Sequence, residues 1–186
     1  TRKRSSAASD VYKRQGIYIG SSEGNVVSNN VLHNSTFSNI FVGGSTDIVV
    51  QGNTMSGSGQ GIEFISSSNS TVANNITKGG GDGSAGIDIR GGGYNTITGN
   101  AVSEYANDIG IHLDISHYNT VSGNALELIG GNSIRLTDAN DNVVTGNNTY
   151  ATSTPALIRI FNDDSAPERN LIANNRLSNP NIAESS

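Results

Sequence analysis

Gly86-Ile87-Asp88-Ile89, followed by Asn95-Thr96-Ile97-Thr98-Gly99-Asn100, is a two-part phrase that recurs along almost the whole chain. Its first part returns as Gly16 to Ile19, Asn39 to Val42, Gly61 to Phe64, Gly110 to Leu113, Ser133 to Leu136 and Leu157 to Ile160. The leading inward apolar residue then falls at Ile17, Ile40, Ile62, Ile87, Ile111, Ile134 and Ile158, at spacings of 23, 22, 25, 24, 23 and 24 residues. The second part keeps step and closes on Asn30, Asn53, Asn75, Asn100, Asn124, Asn147 and Asn175. A short, fixed period of this kind marks a solenoid, whose units bury their cores against their neighbours.

Each unit reads as three short strands. The first alternates, with Ile87 and Ile89 inward and Asp88 outward, as a half-buried strand does. A turn rich in Gly, Ser and Asn follows. The second strand centres on an inward β-branched residue: Val27, Val50, Val72, Ile97, Val121, Val144 or Ile172. Next comes Gly-Asn or Asn-Asn, a pair that tolerates left-handed backbone at a sharp corner. The third strand is more variable, with Leu32, Met55, Val102, Leu126 and Leu177 as its inward members. Differences in length fall in the linker to the next unit, as at Lys78 to Ala85 and Tyr150 to Ala156.

No helix of ordinary length fits between these strands, and the Leu-x-x-Leu-x-Leu core of a leucine-rich repeat is absent. The expected fold is all-β: a right-handed single-stranded parallel β-helix of about seven coils of 22–25 residues, its hand following from the chirality of parallel crossovers. It is expected to occupy residues 16–178, with 179–186 as an irregular tail in which Pro180 stops strand pairing.

A formal charge of -5 and a pI near 5.0 oppose nucleic-acid binding, which leaves a basic footprint. Twenty-three glycines and twenty-five asparagines in a chain only 34% hydrophobic suggest disorder, but the periodic Ile and Val outweigh that average. With no cysteine there is neither a disulfide nor a thiolate metal site, and no apolar run is long enough to span a membrane. Residues 1–15 hold five of the eleven basic residues and match no part of the repeat. Ser6 to Gln15 resembles translated adapter sequence, so 1–15 is read as a non-native or disordered leader and set aside. Because the repeat is in full register at Gly16, further N-terminal coils are expected as this fragment's partner within the native chain.

The phrase Gly-Ile-x-Ile, turn, Asn-x-Ile-x-Gly-Asn resembles the parallel β-helix repeat of the pectate-lyase-like superfamily, most closely at Gly86 to Asn100, Gly110 to Asn124 and Ser133 to Asn147. That superfamily includes mannuronan C5-epimerases, pectate and alginate lyases, phage tailspike depolymerases and a periplasmic β-helix protein of copper-enzyme maturation. The resemblance, nearest in pattern to the epimerases, implies contact with a polysaccharide and a secreted, periplasmic or cell-surface location. The epimerase signature Asp-Pro-His is absent: none of Pro155, Pro167 and Pro180 precedes a histidine.

Stacking in register lines up the outward residue of every first strand: Tyr18, Phe41, Glu63, Asp88, His112, Arg135 and Arg159, with Arg90, Asp114, Thr137 and Phe161 alongside. Four rungs from Glu63 to Arg159 span roughly 19 Å at ~4.8 Å each, enough to lie under several sugars. A polyuronate lyase or C5-epimerase needs a cation for the sugar carboxylate, a base for the neighbouring proton and a proton donor. Arg135, Arg90 or Arg159 suits the first role, and His112 between Asp88 and Asp114 suits the second. Tyr18 is too many rungs away to be the acid, and Tyr118 and His117 are weaker choices. Glu63, Arg90, Arg159, Tyr18 and Phe41 extend the substrate-binding face. The competing reading is a non-catalytic scaffold or surface-binding module whose charges only pair across rungs.

The repeated corner asparagines are read as a structural ladder of stacked amides. Asn162-Asp163-Asp164 with Glu168 offers hard oxygens for Ca²⁺ but no recognised ligand spacing, so no cofactor is assigned. The sequons at Asn34, Asn69 and Asn75 are the chance product of an Asn/Ser/Thr-rich repeat.

Overall fold

A computed structural model describes residues 15–80, 85–106, 108–151, 157–161 and 169–178. The leader, the tail, the candidate calcium loop and all three prolines lie outside these residues. The described residues form three parallel seven-stranded sheets and no helix. The first sheet stacks Ile17–Gly20, Ser38–Gly43, Gln60–Ile65, Ala85–Arg90, Ile109–Asp114, Ile134–Thr137 and Ile158–Phe161. The second runs from Val26–Ser28 to Leu171–Ala173 and the third from Val31–His33 to Arg176–Ser178, each again one strand per coil.

The expected register is observed. Ile17 pairs with Ile40, Ile40 with Ile62, Ile62 with Ile87, Ile87 with Ile111, Ile111 with Ile134 and Ile134 with Ile158. The Ile and Val ladders of the first two sheets are fully buried through the middle coils and become exposed at Ile160 and Ile172, at the end of the described stack. In the third sheet Met55, Val102 and Leu126 are buried, and Thr77 and Thr149 hold the same inward row. Apolar periodicity had no means of marking those two threonines.

Corner geometry is as regular as the strands. Between first and second sheets the connections are five residues long in six successive coils (21–25, 44–48, 66–70, 91–95, 115–119 and 138–142). Their first and fourth residues are left-handed, for example Ser66 and Asn69 at φ 50° and 54°. Between second and third sheets there are two residues, the first left-handed (Asn74 at 55°, Gly99 at 65°) and the second the ladder asparagine. In this ladder Asn75 Nδ2 donates to Asn100 Oδ1 at 3.0 Å and to the Val50 carbonyl at 2.9 Å, while its backbone N–H donates to the same Oδ1. The pattern runs from Asn30 to Asn175. A second ladder fills the first corner, with the backbone N–H of Ser70, Asn95, Asn119 and Asn142 each donating to the next asparagine amide, ending at Asn170. Glycine at 86 and 110 has a different cause: a Cβ there would collide with Val102 and Leu126 packed against the first strand.

Two outcomes test this interior. Val121 is fully buried between Ile97 and Val144, so Val121→Asp, an unpaired buried carboxylate, is expected to cost at least about 3 kcal/mol in chemical denaturation. Unfolding that matches the parent would place Val121 at the surface instead. Tyr105 is buried, and burial pushes its phenol from 10.0 up to about 12. The folded state therefore holds this proton more tightly, a stabilisation complete below pH 10 and lost as pH rises through about 12. In that window the parent's Tm should fall more steeply than that of Tyr105→Phe, and parallel curves would refute the assignment.

Candidate functional site

Register places Tyr18, Phe41, Glu63, Asp88, His112, Arg135 and Arg159 in one row along the first sheet, each the partner of the next. Arg90, Asp114, Thr137 and Phe161 form the parallel row two residues on. At the first end the Tyr18 and Phe41 rings stack at 5.2 Å and 6°. They fold back over Gly20 and Gly43, where a Cβ would collide with them.

The acidic part of the row is already satisfied. Asp88 alternates outward as expected yet is only 1% exposed, because neighbouring side chains close over it. Its Oδ2 accepts from Gln60 Nε2 at 2.9 Å and from Arg90 Nε at 2.8 Å and lies 2.6 Å from Arg90 Nη2. Glu63, also buried, accepts from the Ser38 hydroxyl at 2.5 Å and stands 4.0 Å from Arg90 Nη1. Burial alone would lower the Arg90 pKa. The charge and hydrogen bond of Asp88, then the charges of Glu63 and Asp114, outweigh it and hold the guanidinium above its usual value. Arg90 is thus committed to its own carboxylates.

The upper part is differently arranged. His112 Nδ1 lies 3.3 Å from Asp88 Oδ1, within ion-pair distance but out of line for a hydrogen bond, which leaves that buried oxygen without a donor. On the other side of the ring, Nε2 is 3.0 Å from Thr137 Oγ1, which also accepts from Arg135 Nε at 3.1 Å. The Thr137 hydroxyl can then donate to Nε2. Asp114 is on the His112 strand, opposite Arg90 and Thr137, and does not pair with the imidazole. Arg135 and Arg159 are direct partners on adjacent rungs, both lie over the Phe161 ring at 5.2 and 5.0 Å, and neither has a carboxylate partner among the described residues. Like charges directly opposite one another are destabilising, and Phe161 relieves only part of that through cation–π contact.

The sequence reading did not single out Gln60, Ser38 or the Thr137 bridge, nor a second aromatic pair at the corner beside this face. Tyr94 and Tyr118 stack at 4.9 Å and 11° and are 63% and 49% exposed. Both are left-handed, at φ 59° and 58°, in a corner position that elsewhere holds Gly24, Asp47, Asn69, Asp141 and Arg169. Stacking contributes about 0.5–1.5 kcal/mol, whereas a left-handed bulky residue costs about 1–3 kcal/mol, twice over here. The pair is therefore a net cost to the fold. Its signal in the sequence was bulky residues at corner positions expected to suit Gly and Asn.

Three solved structures share the fold. The enzymatically active domain of tailspike protein 2 from bacteriophage CBA120 superposes with a TM-score of 0.64 at 15% identity, covering 84% of this chain and 24% of that one. A DFA-IIIase from Arthrobacter chlorophenolicus A6, in complex with GF2, gives 0.59 at 16% identity, covering 89% and 52%. A mutant tailspike of E. coli bacteriophage HK620, in complex with a pentasaccharide, gives 0.50 at 11%, covering 75% and 33%. The chain spans about half the length of these proteins or less, and at such identities the likeness establishes the fold alone. No curated protein is similar enough in sequence to match.

The family whose sequence model matches, over residues 4–186, is described as periplasmic copper-binding protein (NosD). Copper favours thiolate, thioether and imidazole donors. The chain has no Cys, and its single Met, Met55, is fully buried in the core. Its three histidines are dispersed: His33 on the third sheet with Nδ1 against Ser56, His112 on the first, and His117 in a corner with Nδ1 accepting from the Asn140 N–H. Among the described residues no three His, Cys, Asp or Glu side chains are grouped to hold a metal. These residues do not fit a copper ion. The purified 186-residue chain should retain no stoichiometric copper after dialysis against Cu(I) or Cu(II), and one tightly held ion per chain would overturn this reading. Matched from residue 4 to residue 186, the chain belongs to the NosD family, here as a run of β-helix that brings together no copper-donor set among its described residues.

Proposed function

We propose that the first-sheet face binds an acidic polysaccharide and processes it by polyuronate-lyase or C5-epimerase chemistry. The observation that carries this reading is the Arg135–Arg159 pair: two guanidiniums in register, without carboxylate partners among the described residues, braced on Phe161 and one rung from His112. A bound sugar carboxylate on each supplies the missing counter-charge, and the planar fork of arginine suits it. Spacing agrees, since rungs ~4.8 Å apart set charges at intervals close to that of one sugar residue.

In this proposal His112 is the base. Asp88, held by Gln60 and Arg90, orients the imidazole and stabilises the imidazolium once formed. His112 Nε2, after Thr137 turns away, takes the proton beside the uronate carboxylate, whose developing negative charge rests on Arg135 one rung on, while Arg159 holds the carboxylate of the next sugar. In a lyase the electron pair then expels the glycosidic oxygen at the adjacent carbon, which takes up a proton. In an epimerase a second donor, water on the far side of the ring, delivers a proton to the opposite face while His112 keeps the one it removed. Support also comes from the fold, shared with a tailspike and a DFA-IIIase whose structures hold saccharides. A periplasmic or secreted location suits such a substrate; the family description is periplasmic, and no described helix is long and apolar enough to cross a membrane. The scaffold reading draws on one observation as well, the mutual pairing of Glu63, Asp88 and Arg90.

Isothermal titration with alginate and pectate oligomers separates the two. Arg135→Ala should weaken binding about tenfold, in a salt-sensitive way, while His112→Ala should abolish turnover and leave binding largely intact. Absence of heat with every acidic glycan, from a chain shown to be folded, would make these charges ordinary surface pairing.

A further inference from the structure

We infer that Tyr94 and Tyr118 form a second, charge-independent contact for a glycan, a wall against which the C–H face of a sugar ring stacks. This rests on the carbohydrate reading of the first-sheet face. Two successive coils put tyrosine in the left-handed corner position where others place Gly24, Asp47, Asn69, Asp141 and Arg169; Arg169 is held there by an ion pair to Asp141, whereas the stacking between the tyrosines does not by itself repay their strain. Strain kept at an exposed position calls for a gain outside the fold. The corner beside the pair is tight: Gly91, Gly92 and Gly93 precede Tyr94, Gly93 is buried, and a Cβ at 92 or 93 would collide with the backbone of Ser67 or His117 in the neighbouring coils. Ile115, itself left-handed at φ 47° and 61% exposed, adds apolar surface beside Tyr118. Two exposed, stacked tyrosines with an exposed isoleucine on the same corner suit a flat ring with one apolar face.

Position ties the wall to the charged face. Tyr94 follows the strand that carries Asp88 and Arg90, and Tyr118 follows the strand that carries His112 and Asp114. The wall flanks the rungs of the proposed base, while the arginine pair lies on the rungs above. A glycan that reaches both is held by charge at one sugar and by stacking at another.

The test compares the parent, Tyr94→Asn/Tyr118→Asn and Arg135→Ala/Arg159→Ala against hexagalacturonate and its neutral methyl ester, by titration calorimetry and tyrosine-ring NMR. Asparagine adopts the left-handed corner at Asn69, so the tyrosine variant should keep or raise the parent Tm. It should lose about tenfold in affinity for both probes, whereas the arginine variant loses affinity for the acidic probe only. Unchanged affinity of the tyrosine variant, or a lowered Tm, would make the pair structural and overturn the inference. A parent that binds the acid but not the ester overturns it while leaving the function of the arginine face standing. A parent that binds neither removes both.

Discussion

The structure depends on a chain of side-chain amides running inside the solenoid. A β-helix turns its backbone through sharp corners at every coil, and each corner leaves N–H and C=O groups facing a dry interior, where unmet polar groups are costly. From Asn30 to Asn175 one residue type answers this at every level, its amide donating up the axis to the next asparagine and, from Asn53 on, down it to a carbonyl of the preceding coil, while its oxygen accepts from the coil below. Each link needs the next asparagine at one height only. The chain of amides therefore sets register as well as satisfying the corner, and the isoleucine and valine ladders follow from it.

That constraint explains what the sequence disclosed. Asn100 and Ile87 recur with a period that only stacking imposes, so coil count, sheet membership and the inward rows were readable, as was the alignment of Glu63, Asp88, His112 and Arg135 on one face. The second amide ladder was present in the same phrase, at Asn95, but Ser70 and Ile48 take its place in earlier coils and mask the repeat. Periodicity told which side of the sheet Asp88 occupies and nothing about what would cover it. Its burial comes from Gln60, which reaches over from the rung below, and from Arg90, which folds back along its own strand, in ways no spacing encodes. The Tyr94–Tyr118 stack was missed for a related reason: apolar residues in corners break the pattern rather than forming one.

The face divides by how its charges are used. Between Ser38 and Arg90 the two carboxylates of the row, Glu63 and Asp88, are each met by a donor from the protein, Asp88 at one oxygen only. From His112 upward Thr137 joins imidazole and guanidinium through one hydroxyl, and the arginines rest on an aromatic ring. Donor-met carboxylates below and arginines without a carboxylate partner among the described residues above make the two halves of the row unlike.

The constancy of the first and second corners has a consequence for how such a surface changes over time. Where every coil meets its neighbours through identical amides, a duplicated or deleted coil leaves the joints on either side as good as before. The protein can lengthen or shorten only in whole steps, each moving everything beyond it by one rung and one small rotation. A groove built on such a stack is tuned as a ruler is, by adding divisions, and the distance between two chemical groups on it becomes an inherited integer.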